Sequence, residues 1–197
     1  MIQFKFDPEK IIQIVDFLVA RNSFALNYTK MIKLLYLADR EALKEHDIVI
    51  TGDKYCSMKS GPVLSEILDL VNGEHQDNKV QKLWDSHFKT IGFDIIATTK
   101  KETGCDKLND YEISLLTKID EKFKDFDYGQ MIKFIHNKKE FPEVRWKEAD
   151  EMGTSLHLGI EDILMVFGRT GEEIEEIERE TESLLEEHTY LSDSCGR

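Results

Sequence analysis

Apolar residues recur at helical spacing along most of this chain. Ile11, Ile14, Val15 and Leu18 make a stripe after Asp7-Pro8-Glu9. That tripeptide supplies a side-chain acceptor, a residue already fixed at helical φ and a negative charge for the positive helix end. Asn22 and Ser23 interrupt the stripe. From Tyr28 to His46, Met31, Leu34, Leu35, Ala38 and Ala42 share one face, and Ile32, Tyr36, Leu37 and Leu43 widen it. So wide an apolar arc predicts a helix packed on more than one side, near the centre of the fold.

From Ile48 to Met58 the pattern loosens around Thr51-Gly52-Asp53, which reads as a turn. Ser60-Gly61-Pro62 then puts a permissive residue and a proline where the next helix is expected to begin, and Val63, Leu64, Ile67, Leu68 and Val71 carry that helix to a stop at Asn72-Gly73. Phe88 to Thr99 is rich in Ile, Phe and Thr, predicting one or two short strands, a hairpin bending near Gly92-Phe93. After the polar stretch Lys100 to Lys107, the capping-box spacing of Asn109 to Glu112 precedes Ile113, Leu116, Ile119 and Phe123. The same spacing from Asp127 to Gln130 precedes Met131, Phe134 and Ile135. Phe141-Pro142 through Trp146 reads as a compact turn pinned by an aromatic. Ile160, Ile163, Leu164 and Phe167 make a short helix closed by Gly168. The expected fold is α+β and mainly helical, a compact bundle of about six or seven helices with a small β-hairpin.

Beyond Gly171 the character changes. Glutamates dominate through His188, while Ile174, Ile177, Thr181, Leu184, His188 and Leu191 keep an alternating spacing of three and four. This predicts a strongly acidic helix with one narrow apolar seam, able to lie on its own domain, on a partner or on a twin chain. The expected division is a domain over residues 1–170 followed by an acidic helix and tail over 171–197, around a single core.

A formal charge of −13 repels a phosphate backbone and attracts basic surfaces, so nucleic acid is a poor partner for this chain. A helix-turn-helix reading of the first two helices lacks a Lys/Arg stripe. Cys56, Cys105 and Cys195 have neither C-x-x-C spacing nor an even count, which fits a reducing, cytoplasmic compartment. The opening Met1 to Arg21 lacks a cleavage pattern, and no apolar run approaches the roughly 20 residues that span a bilayer; secretion and membrane insertion are not expected. The histidines at 46, 75, 87, 136, 157 and 188 show no H-E-x-x-H or H-x-H arrangement, so no metal or other cofactor is expected. Cys56 as a nucleophile would need a base and an oxyanion donor; a small buried side chain is the plainer reading. No catalytic residue is assigned.

Lys33-Leu34-Leu35-Tyr36-Leu37-Ala38-Asp39, then Ile50-Thr51-Gly52-Asp53-Lys54-Tyr55, then Met58-Lys59-Ser60-Gly61-Pro62-Val63-Leu64-Ser65-Glu66-Ile67 resemble, in order and spacing, the signature of the Panacea-domain (SocA-like) antitoxins of bacteria and their phages. The resemblance extends more weakly through Trp146 and leaves the acidic tail outside. Ser60 departs from it, standing where many relatives carry an aromatic. The resemblance implies an antitoxin that binds and neutralises a protein toxin, or, as in the SocA branch, an adaptor that delivers its toxin to a protease. It implies no catalytic residues. The signature positions carried over, as partner-binding or structural residues, are Lys33, Tyr36, Asp39, Tyr55, Lys59, Gly61 and Pro62.

Each has a plainer reading beside the functional one. Tyr36, Asp39 and Arg40 could present a polar cluster between helix and loop, or Tyr36 and Asp39 could satisfy backbone donors or Lys59 inside the fold. Gly61-Pro62 could aim helix N-terminal amides at an acidic group, or simply start a helix. Ile174, Ile177 and Leu184 could bury against a toxin, the chain's own domain or a second copy in a homo-oligomer. The rival of another class is a metal- or cysteine-dependent hydrolase.

Overall fold

The computed structural model describes residues 1–99 and 104–195, with backbone only for 188–195. The seam positions His188 and Leu191, and residues 100–103 of the polar stretch, therefore lie outside the described side chains. Among the described residues the chain forms nine helices and two three-stranded antiparallel sheets, an α+β fold that is mainly helical.

The broad apolar arc does mark the centre. Helix α2 (Tyr28–His46) follows α1 (Pro8–Arg21) and the short strand β1 (Ala25–Asn27). Asn27 caps α2 by accepting from the Lys30 amide, and the helix ends at Asp47, whose φ of 57° is left-handed. Met31, Leu34, Leu35, Tyr36, Ala38, Ala42 and Leu43 have no accessible surface. Along this helix pack β3 (Gly61–Leu64), α5 (Asp110–Lys122), α6 (Tyr128–Ile135) and α8 (Ile160–Val166). Both predicted capping boxes form, Asn109 with Glu112 and Asp127 with Gln130. Strands β4 (Phe88–Ile91) and β5 (Asp94–Ala97) are the predicted hairpin, turning through Gly92 at φ 62°, and β5 carries β1 on its other edge.

Four features depart from expectation. Gly61-Pro62 does not open a helix: Gly61–Leu64 is strand β3, paired with β2 (Tyr55–Met58), and α3 starts only at Ser65 (Ser65–Asn72). Sheet order β3-β2-β6 makes β3 an edge strand, where a proline without an N–H is tolerated. Helix α4 (Asn78–His87) was not expected; Val80, Leu83 and Trp84 form its short apolar face, and Asp77 caps it through the Lys79 amide. Trp146 begins a helix, α7 (Trp146–Met152), instead of closing a turn, and β6 (Leu156–Leu158) follows to complete the second sheet.

The last helix, α9 (Gly171–Cys195), is the acidic one. Thr170 and Glu173 cap its start reciprocally, and Arg169 grips Asp47 at the end of α2 with two bonds of 2.8 and 3.0 Å. The start of α9 is thus tied to the end of α2.

Candidate functional site

The signature segments meet around the C-terminal half of α2. Asp39 is buried and receives four donors from the loop that follows the helix. Its Oδ1 accepts from the amides of Ile50 (2.7 Å) and Thr51 (2.9 Å); its Oδ2 accepts from the Tyr55 hydroxyl (2.8 Å) and the Thr51 hydroxyl. Burial raises the Asp39 carboxyl above its ordinary value, while the Thr51, Tyr55 and Ile50 bonds hold it down. Tyr55 in turn meets Tyr36 edge to face at 5.9 Å. Burial pushes both phenols well above the usual range, reinforced by the carboxylate beside each, Asp39 for Tyr55 and Glu143 for Tyr36.

Asp53 does the same work one turn further on. Helix α3 begins after Leu64, which has no side chain to cap it. Its first free amides, Glu66 and Ile67, are instead satisfied by Asp53 at 2.9 Å each, and Asp53 also takes the Lys54 amide at 2.6 Å. Negative charge at a helix N-terminus is favourable, yet desolvation dominates here and the carboxyl rises to about 7. The residue before it, Gly52, has φ +67°, and a Cβ there would lie 2.2 Å from the Lys5 carbonyl oxygen. The N-terminal segment therefore crosses directly over the Thr51-Gly52-Asp53 loop, and no other residue fits.

On the opposite side of the hairpin, the buried Lys33 ammonium donates to the carbonyl of Pro62. Burial lowers it to about 7. Gly61, at φ +92°, lies against the Lys33 Nζ and against Ile135 and His136 at the end of α6. The His136 ring stacks on Trp146 at 4.0 Å, nearly parallel. Tyr36 donates to Glu143 Oε1 at 2.8 Å, which also receives Arg40 Nε at 2.7 Å. Lys59 stands apart: three-quarters of its side chain is exposed and it pairs with Asp150 on α7 at 3.0 Å.

The structure therefore brings together Lys33, Tyr36, Asp39, Tyr55, Gly61 and Pro62 as one internally bonded scaffold, and puts Lys59 on its surface. The role weighed for Lys59 inside the fold, as partner of Tyr36 or Asp39, falls to Glu143 and to backbone amides. The sequence offered no signal for Glu143, which lies 107 residues from Tyr36. For Asp53 a signal did exist, since a helix opening on Leu64-Ser65-Glu66 without its own cap requires one from elsewhere.

The acidic seam is split. Ile174 and Ile177 pack against the core and Thr181 is buried, its hydroxyl turned back to the Ile177 carbonyl. Leu184 is 58% exposed. Cys56 faces the Ser65 hydroxyl at 3.4 Å. Among the described residues no group of three His, Cys, Asp or Glu side chains could hold a metal ion, and no helix is long and apolar enough to cross a membrane.

A family model described as "Antitoxin SocA-like, Panacea domain" matches residues 31–141, which runs from the first turn of α2 to the segment just before Glu143. No curated protein and no solved structure matches the chain.

Proposed function

The chain belongs to the SocA-like antitoxin family with the Panacea domain, and from that premise we propose that it neutralises a protein toxin by direct protein–protein contact. The observation that carries this reading is the fate of the signature's polar groups. Asp39, Asp53 and Lys33 are buried and bonded to backbone groups, and buried Tyr36 is bonded to the Glu143 carboxylate. Groups spent in that way hold a loop, a hairpin and two helices in fixed relation, and a surface fixed before binding loses little entropy on binding. The toxin would be silenced by occlusion, its working face covered by this preformed helical body. Residues 171–187 hold nine glutamates against one arginine, so most of the chain's negative field comes from α9 and would steer a basic toxin on approach.

Co-expression with the product of the neighbouring gene tests the reading. Growth arrest caused by that product and relieved by this chain, with the two co-purifying, is the expected result. Degradation of the captured toxin by a purified protease only when this chain is present would establish the adaptor mechanism instead. Relief of arrest that is lost in Cys56→Ala, or after chelation, would establish the hydrolase.

A further inference from the structure

Helices α2, α5, α6 and α8 leave a trough of about 310 Å³ between them. Its apolar lining is mostly aromatic, beside Leu37 and Ile119: Phe123 and Phe141 are buried, Phe134 and Phe167 are half-buried, and Val166 is exposed. Phe134 meets Phe123 at 5.0 Å and Phe141 at 5.4 Å, both edge to face.

Two cations stand in this trough in different ways. The Arg40 guanidinium is clamped between Phe141 and Phe167, 4.7 Å from each ring, with Nε on Glu143 and Nη2 on the Glu140 carbonyl. Lys122 lies over Phe123 and Phe134 at 5.3 and 5.9 Å, and among the described residues it has no carboxylate partner. Of the two carboxylates on the rim, Glu41 is already engaged by Lys118 at 3.3 Å; Glu140 offers its carbonyl to Arg40. The surrounding stretch, Lys122 to Phe141, has five lysines against three carboxylates, net +2 in a chain whose remainder carries −15. Lys133, Lys138 and Lys139 within it are exposed and likewise without ion pairs among the described residues. The aromatic trough of this acidic protein thus lies beside a locally basic stretch.

Resting on the antitoxin reading, we propose that this trough receives an acidic segment of the toxin that carries one bulky apolar side chain. The apolar side chain would fill the aromatic base, and flanking carboxylates would meet Lys122 and the unpaired edge of Arg40. A desolvated apolar anchor ringed by charge is the arrangement that concentrates binding energy at an interface. A toxin basic overall and acidic in this segment would be both drawn to α9 and set in register by the trough.

The test uses the full chain, with Lys122→Glu and Val166→Asp as variants; both residues are exposed, so folding should persist and is checked by urea unfolding. One probe is a labelled peptide with a central tryptophan flanked by glutamates, against the same peptide with lysines. The second is the toxin identified by co-expression. Expected are shifts of Arg40 Nε–H and of α5, α6 and α8 amides on titration with the acidic peptide, and at least tenfold weaker binding of peptide and toxin by each variant. Equal binding of the lysine peptide, shifts confined to another surface, or undiminished toxin binding by both variants would overturn the proposal. So would concentration-dependent self-association abolished by the variants, which would give the trough to a second copy of the chain. If no toxin is neutralised yet the acidic peptide still seats here, the antitoxin reading fails and the acidic-segment specificity of the trough stands.

Discussion

The loop and hairpin that follow α2 and the helix that closes the chain are both rich in carboxylates, and the two use them in opposite ways. Asp39 and Asp53 are inside, each collecting donors from three or four backbone and hydroxyl groups, so each tethers several segments at once. The described glutamates of α9 are mostly outside, and the helix meets the rest of the fold through Ile174, Ile177 and the buried Thr181. A carboxylate in the first region is a structural joint whose loss leaves buried donors unmet; one in the second is a component of a field, screened beyond about 10 Å. Apart from the exposed Lys59, the signature residues are thus buried away from any partner.

The sharpest way to break this contrast is Asp39→Ala. Three to four donors would lose their acceptor inside the core, and the expected loss is about 3–5 kcal/mol in urea unfolding. A loss under about 1 kcal/mol would mean the loop finds other partners and Asp39 is no joint. Gly52→Ala should cost about 2–4 kcal/mol, since it adds a clash with the Lys5 carbonyl to a left-handed φ. Amide exchange should then increase in the N-terminal segment ahead of the rest of the fold.

A third test is pH. Lys33 falls from 10.5 to about 7 on burial, so between those values the unfolded chain holds a proton that the folded one does not, and stability climbs with rising pH. Asp53 rises from 3.8 to about 7, so the folded chain holds the extra proton there and stability declines as pH rises across that window. Asp39 acts in the same direction as Asp53. These groups together place a minimum of stability near neutrality, visible as a dip in the urea midpoint. Lys33→Met should flatten its alkaline limb and Asp53→Asn its acid limb.

At the acidic end effects should be smaller. Ile177→Ala removes a half-buried contact and should cost about 1–2 kcal/mol. Leu184→Ser, at an exposed position of the same seam, should change stability by less than about 0.5 kcal/mol. Equal effects at the two positions would show that the whole seam is docked.

Much of the fold was legible. The apolar arc of α2, both capping boxes and the Gly92 hairpin are local patterns that the structure keeps. Helix α4 was missed because its apolar positions, Val80, Leu83 and Trp84, hold helical spacing for little more than one turn, and the β2–β3 hairpin because four-residue strands leave too few positions to show an alternation. The signature could be read as a run of residues, but the bonds its side chains make could not. Tyr36 and Glu143, or Asp53 and the first amides of α3, become neighbours only when separate elements pack.

By itself the sequence determined what depends on neighbours within a few positions: helix phase, caps, turns and the concentration of charge beyond Gly171. Tertiary structure alone decided which polar groups are emptied of water and which stay wet. That division separates Lys33 from Lys122, two lysines on amphipathic helices, one buried beneath Pro62 and the other lying open over a pair of phenyl rings. Desolvation depends on everything that surrounds a group, and a linear pattern records only what precedes and follows it.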